Sequence, residues 1–125
     1  MMEHYILDKR GEPVRVSLME WGAWLENFDN RVLRQQTVSA TVSVSTVFLG
    51  ADHRFFGDGP PILWETMIFG GAHDQYQQRY TSRKLALLGH GRAVAMARRA
   101  LKQEQRVRRV RPKAKPIAQG RKITL

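Results

Sequence analysis

Residues 43–71, SVSTVFLGADHRFFGDGPPILWETMIFGG, decide the fold of this chain. Two apolar runs, over 41–49 and 62–69, are joined by a loop over 50–61 that is rich in glycine and proline. Side-chain alternation in the first run and the β-branched and aromatic residues of both are typical of strands. We therefore predict a central hairpin with a long loop at its tip. From Val47 onward both faces are apolar, which predicts that the chain enters a buried setting there.

The segments on either side of this hairpin complete a small α+β domain. Gly11 marks the turn of an N-terminal hairpin, and Ser17 with Glu20 forms a capping box that begins a helix. The predicted elements are, in order, a hairpin over 4–16, a helix over 17–28, strands over 31–38, 41–49, 62–69 and 76–80, and a helix that begins after Thr81 or Ser82 and runs to about Gln105. They predict one small antiparallel sheet of about four to six strands, with two helices packed on it.

Apolar spacing predicts which side of each helix faces the core. In the first helix Trp24 lies off the predicted stripe, which consists of Leu18, Trp21, Leu25 and Phe28. The stripe of the second helix consists of Leu85, Leu88, Ala93, Met96, Ala97, Ala100 and Leu101. Gly89 and Gly91 flank His90 and predict a bend or a close contact, with the histidine packed or solvent-facing rather than a ligand.

The excess of positive charge is confined to the C-terminal quarter. Residues 1–91 carry 9 Lys and Arg against 10 Asp and Glu, whereas residues 92–125 carry 12 against 1, a net of +11. Such asymmetry is typical of a segment that binds a polyanion. We therefore divide the chain into one domain over 1–105 and a basic tail over 106–125, which Pro112, Pro116 and Gly120 predict to be extended.

The basic quarter predicts DNA, RNA or a nucleoprotein complex as the partner. Lysine and arginine gain affinity by releasing counterions from phosphates, without reading sequence. The tail contains no aromatic residue, so base stacking is not its expected mode. The candidate nucleic-acid-binding residues are Arg98, Arg99, Lys102, Arg106, Arg108, Arg109, Arg111, Lys113, Lys115, Arg121 and Lys122.

The 50–61 loop holds the densest polar cluster, formed by Asp52, His53, Arg54 and Asp58. Loop aspartates usually cap turns through the nearby backbone, which is the interpretation we favour. A histidine beside carboxylates is also compatible with recognition of a partner or ligand, with a divalent cation, or with general base catalysis. Glu65, in an otherwise apolar strand, needs a cationic partner if buried, and Arg79, Arg54 and His53 are the candidates.

The chain contains no cysteine, which excludes disulfides and cysteine-ligated metals. It has no signal-peptide pattern and no apolar run long enough to cross a membrane. We expect a cytosolic protein without a membrane partner, metal or cofactor. The sequence leaves self-association open.

The hairpin pattern VSTVFLG-x-DH-x-F-x-G-x-GPP-x-L-x-ETM-x-FGG is met at residues 44–71, and is followed by Tyr80 and by the pair Gly89–His90. This pattern resembles a family of small, uncharacterised bacteriophage and prophage proteins, over about residues 4–97. The resemblance implies a phage protein in the bacterial host cytoplasm, and it implies no catalytic residues.

Three functions remain as hypotheses. The first is a non-enzymatic phage accessory protein that binds nucleic acid or a nucleoprotein complex through its basic C-terminus, for example to antagonise a host defence system. The second is a protein- or small-ligand-binding module that uses the 50–61 loop. The third is a small hydrolase that uses Asp52, His53 and Glu65, which requires these side chains to converge.

Overall fold

The computed structural model describes residues 3–110, which form the predicted α+β fold. A two-stranded sheet pairs β1 with β2, and a four-stranded antiparallel sheet has the order β3-β4-β5-β6. The elements are β1 (Tyr5–Leu7), β2 (Pro13–Arg15), α1 (Leu18–Leu25), a 3₁₀ turn (Phe28–Arg31), β3 (Val32–Thr37), β4 (Ser43–Phe48), β5 (Trp64–Phe69), β6 (Gln77–Tyr80) and α2 (Arg83–Val110). The small sheet joins the large one where the Tyr5 amide donates to the Gly50 carbonyl at 2.8 Å.

The central hairpin is formed by β4 and β5, as predicted. Their register places three large pairs on one face, namely Val44 with Ile68, Thr46 with Thr66 and Phe48 with Trp64. All six side chains are buried. Since successive residues of a strand point to opposite faces, this alternation fixes which face carries the core.

The other face of the large sheet is more open than the sequence predicted. Val47 and Met67 on this face are only half-buried, and Phe69 is 43% exposed. Phe28 of the 3₁₀ turn lies beside them and is itself 58% exposed. The expectation that the hairpin becomes buried on both sides is therefore wrong, because α2 covers only the face that carries Val44 and Ile68.

Helix α1 begins as predicted and presents a partly different side. Ser17 and Glu20 form the complete capping box. The predicted stripe is wrong at its two ends, since Leu18 is 63% exposed and the helix ends at Leu25, before Phe28. Its middle members Trp21 and Leu25 are half-buried, and the Trp21 indole donates to the Gly50 carbonyl at 2.9 Å. Trp24, which was placed off the stripe, packs edge-on against Phe48 with ring centroids 5.8 Å apart.

Helix α2 begins after Ser82, whose hydroxyl accepts from the Leu85 amide at 3.1 Å. It continues to Val110, five residues beyond the predicted end at Gln105. The sequence-based boundary between domain and tail therefore falls inside the helix, and residues 106–110 are helical rather than extended. Residues 111–125, the rest of the predicted tail, lie outside the part of the chain that the structure describes.

The side of α2 that faces the sheet consists of small residues and one histidine. Its buried members are Ala86, Gly89, His90, Ala93, Val94 and Ala97. The predicted stripe is wrong at its start, because Leu85 is 47% and Leu88 50% exposed. The sheet already fills the interface with large side chains, so a close approach requires small ones from the helix. At Gly89 a Cβ atom would overlap the Tyr80 ring, which confirms the predicted close contact.

Candidate nucleic-acid interface

The candidate basic residues that the structure describes all lie on the C-terminal half of α2. Six of them are helical and exposed: Arg98, Arg99, Lys102, Arg106, Arg108 and Arg109. The remaining five fall outside the described residues: Arg111, Lys113, Lys115, Arg121 and Lys122. The described part of the interface is therefore a helical surface that continues to Val110, whereas the sequence predicted a helix only as far as Gln105.

Most of these cations share one side of the helix. At about 100° per residue, five of these six, together with Arg92, fall within an arc of about 120° on the side opposite the buried alanines. We call this set the basic stripe; it consists of Arg92, Arg98, Arg99, Lys102, Arg106 and Arg109. It runs about 26 Å along the helix axis at about 1.5 Å per residue. Arg108 points to the other side and is not part of it.

The stripe is not neutralised by acidic side chains. Helix α2 contains nine Lys and Arg and a single acid, Glu104. Within residues 3–110 the ion pairs are Arg15 with Glu3 and Arg79 with Glu65, and neither involves α2. Cations near a helix C-terminus also stabilise the helix dipole, which is a structural role for Arg108 and Arg109. That role is confined to the last turn and does not account for the cations between Arg92 and Arg106.

Asp52 of the 50–61 loop has the structural role that we favoured. Its Oδ1 atom accepts from the backbone amides of Arg54 and Ile62, both at 2.8 Å. The second bond joins the two ends of the loop. The carboxylate therefore holds the loop closed, and its hydrogen bonds go to backbone groups.

The other candidate residues of the loop do not converge with Asp52. The His53 Nδ1 atom lies 2.8 Å from the Ala51 carbonyl oxygen, and the Arg54 Nε donates to the Pro60 carbonyl at 3.0 Å. Asp58 is exposed near the loop tip. Within residues 3–110 no three His, Asp or Glu side chains are grouped so that they could hold a metal ion.

Glu65 is held by its neighbours on β6. It lies directly opposite Arg79 in the strand register, and the Arg79 Nε donates to its Oε2 at 2.9 Å. The Gln77 side-chain amide donates to the same oxygen. Arg79, one of the three partners the sequence allowed, is the one that pairs. The hydrogen bonds of Asp52, His53 and Glu65 thus lead to three separate sets of partners, not to one another.

A buried polar cluster lies between α2 and the sheet, and sequence reasoning missed it. The Thr46 hydroxyl lies 2.6 Å from that of Thr66 and 2.7 Å from Nδ1 of His90. Burial, with a smaller contribution from the charge of Arg34, lowers the pKa of His90. The signal in the sequence was two threonines on the inward face of apolar strands. All three side chains are buried and hydrogen-bond to one another, so this cluster is part of the core.

A groove at the edge of the large sheet was also missed. It lies between β6 and α2 and has a volume of about 440 Å³. Its lining consists of Tyr76, Gln78, Arg79, Tyr80, Thr81, Leu85, Gly89 and Arg92. Gln78 and Tyr80 lie on one face of β6, and Tyr76 comes just before that strand begins. The helix rotation that leaves Leu85 beside them was not predicted.

These features define a small α+β protein with a cationic helix surface and an adjoining groove. No protein-family model, curated protein or solved structure matches the chain. The phage-family resemblance therefore stays a prediction. In the part of the chain that the structure describes, no helix has the length and apolar character needed to cross a bilayer.

Proposed function

We propose that this protein binds nucleic acid, alone or within a nucleoprotein complex, through the basic stripe and the cationic residues that follow it. The observation that carries the proposal is the one-sided array of Arg and Lys on an exposed helix surface, which makes no ion pair within residues 3–110. A solvated cationic surface without acidic partners raises the local potential and attracts polyanions.

The spacing of the stripe supports contact with a phosphate backbone. Arg98, Lys102, Arg106 and Arg109 rise by about 4.5 to 6 Å from one to the next along the helix axis. Successive phosphates of an extended strand are separated by distances of this order. Several cations can therefore contact one strand together, and each phosphate contact adds to the salt dependence of binding.

The biological setting follows from the family resemblance. We propose an accessory role in a phage, in the cytoplasm of the bacterial host, for which antagonism of a nucleic-acid-containing defence complex is one example. No catalytic step is proposed, because Asp52, His53 and Glu65 hydrogen-bond to separate partners.

The test is a titration of duplex and single-stranded DNA and RNA across salt concentrations. The variant Arg98→Gln, Arg99→Gln, Lys102→Gln removes three exposed charges and keeps good helix formers. Its slope of log affinity against log salt should be shallower by as much as about 2.7 on duplex DNA, since each lost phosphate contact removes about 0.9.

The matched control removes the same charges elsewhere, in the variant Lys9→Gln, Arg10→Gln, Arg34→Gln. These three side chains are exposed, and none of them belongs to the basic stripe. If both triple variants lose the same affinity, net charge explains binding and the stripe does not. A chain that ends at Val110 keeps the whole described helix, so its affinity measures the stripe without residues 111–125.

A second candidate function is favoured by the tip of the 50–61 loop. Phe55 is 65% and Phe56 90% exposed, beyond the closure made by Asp52. Exposed aromatic residues on a held loop are typical of protein docking sites. After nuclease treatment, a host protein retained by the native chain and lost with Phe56→Ser would support this function. Retention by both chains would contradict it.

A further inference from the structure

The groove between β6 and α2 exists because the helix does not cover the edge of the sheet completely. In the strand register Gln78 pairs with Thr66, so both point toward the side that α2 covers. Thr66 is fully buried beneath the helix, whereas Gln78 is exposed. An inward-facing position at the sheet edge is therefore left open to solvent.

The walls of the groove combine apolar, aromatic and polar groups. Tyr76 and Leu85 offer half-buried and exposed apolar surface, and the space that a Gly89 side chain would take is occupied by Tyr80. The Gln78 amide supplies both a donor and an acceptor. A volume of about 440 Å³ lies within the range of small-ligand sites. This lining suits a flat group with apolar faces and polar edges, as a nucleobase has.

The groove also lies at the start of the basic stripe. Arg92 belongs to both, and Arg99 and Arg106 follow it at seven-residue intervals, about 10.5 Å apart along the axis and on nearly the same side of the helix. Arg79, on the other wall, has its charge partly neutralised by Glu65. A phosphate backbone that follows the stripe toward the helix N-terminus therefore reaches the mouth of the groove at Arg92.

We infer that the groove receives an unstacked base of a single-stranded nucleic acid whose backbone lies along the basic stripe. This inference rests on the proposed function and adds a preference for single strands. A base within a duplex is stacked and paired, so it can enter only after the cost of unstacking is met. An unpaired base carries no such cost, and it can contact an aromatic ring and an amide together.

The decisive ligands are three labelled 12-mers with the same number of phosphates per strand: a single strand of mixed sequence, the same strand with its central bases replaced by abasic sites, and the duplex. The full chain should bind the normal single strand at least about fivefold more tightly than the abasic strand, since one stacked base contributes at least this much. All three ligands should show a salt dependence.

The decisive variant is Gln78→Glu, which places an anion in the groove at an exposed position. The matched control is Gln35→Glu, because Gln35 is also an exposed glutamine of an edge strand, and it borders the opposite face of the sheet. Both changes alter net charge equally. Gln78→Glu should abolish the preference for the normal strand over the abasic strand, and Gln35→Glu should preserve it.

The outcomes separate this inference from the function on which it rests. Salt-dependent binding with equal affinity for normal and abasic strands overturns base recognition and leaves the stripe in place. The same result would be obtained if the groove receives an extended peptide instead. Equal effects of the two glutamate variants also overturn it. If the native chain binds none of the ligands at low salt, the proposed function fails together with the inference.

Discussion

Alanine at Gly89 tests the close contact between α2 and the sheet. A Cβ atom at this position would overlap the hydroxyl and adjacent ring carbons of Tyr80. The ring cannot move freely, because Tyr80 is only 8% exposed and lies on β6 opposite Trp64. Gly91, two residues further along the same helix, has open space where its Cβ would lie. The two glycines should therefore respond to the same substitution with opposite signs.

The expected magnitudes follow from two terms. Glycine to alanine in a helix interior stabilises by about 1 kcal/mol through helix propensity, and this term applies at both positions. Overpacking a filled site costs about 1–3 kcal/mol, and it applies only at Gly89. Gly91→Ala should raise the free energy of unfolding by up to about 1 kcal/mol. The Tyr80 hydroxyl oxygen and two of its ring carbons would all have to shift, so the overpacking cost at Gly89 should lie in the upper part of that range. Gly89→Ala should therefore lower the free energy of unfolding by about 1–2 kcal/mol.

Urea unfolding followed by circular dichroism at 222 nm measures both variants against the native chain. For a domain of this size, about 1 kcal/mol corresponds to roughly 4 °C in Tm, so thermal melts give an independent check. If Gly89→Ala is as stable as Gly91→Ala, the helix does not pack against Tyr80 as described. Since Gly89 and Tyr80 both line the groove, that result would also remove the structural basis of base recognition.

Two further predictions concern the loop and the buried histidine. Asp52→Ala should lower the free energy of unfolding by about 2 kcal/mol. Asp52→Asn should lower it by clearly less, because asparagine keeps an oxygen for the two backbone amides. Equal losses of stability in urea unfolding would contradict the loop-closing role of Asp52. The pKa of His90 is lowered in the folded state. Below about pH 6.5 the unfolded chain therefore binds more protons at this histidine than the folded chain does. The free energy of unfolding should fall as the pH drops from there toward the pKa of the folded state. His90→Gln should flatten this part of the stability profile, and an unchanged slope would show that other groups cause it.

The strands could be predicted from the sequence because their signal is local. Alternation in residues 42–48 fixes which side chains face inward, and Gly70 ends β5 where a side chain would meet the Thr41 carbonyl. The faces of the helices could not be predicted in the same way. Hydrophobicity favours Leu85 and Leu88 as core residues, yet both are about half exposed, and it is the smaller Ala86 that packs in the buried cluster with Trp64. The space that the sheet leaves for helix side chains cannot be predicted from the sequence of the helix alone.

The sequence predicted the cations of the candidate site but not how the fold arranges them. Charge asymmetry identified the cations of α2, because composition is independent of fold. Their common side, however, depends on the helix continuing to Val110 and on which residues face the sheet. The groove combines Gln78 of one element with Arg92 of another, and no spacing along the chain joins them. Tertiary packing alone brings them together.

The cost of the stripe to stability gives a last test of whether its charges serve binding or folding. Lys102 lies four residues from both Arg98 and Arg106 and three from Arg99, and like charges at these spacings destabilise a helix by about 0.2–0.5 kcal/mol per pair. Lys102→Gln removes three such pairs, so it should raise the free energy of unfolding by about 0.6–1.5 kcal/mol at low salt while it weakens nucleic-acid binding. The gain should shrink as salt screens the repulsion.

A stabilising effect of this kind would mean that the cations of the stripe lower the stability of the fold. Residues that do so are expected at a site that binds a partner. Gln103→Ala provides a control at the neighbouring exposed position, because it leaves every charge in place. If Lys102→Gln instead lowers stability at low salt, the lysine makes a favourable contact within the chain. The stripe would then have a structural role, and the cations on one side of α2 would no longer support the proposed function.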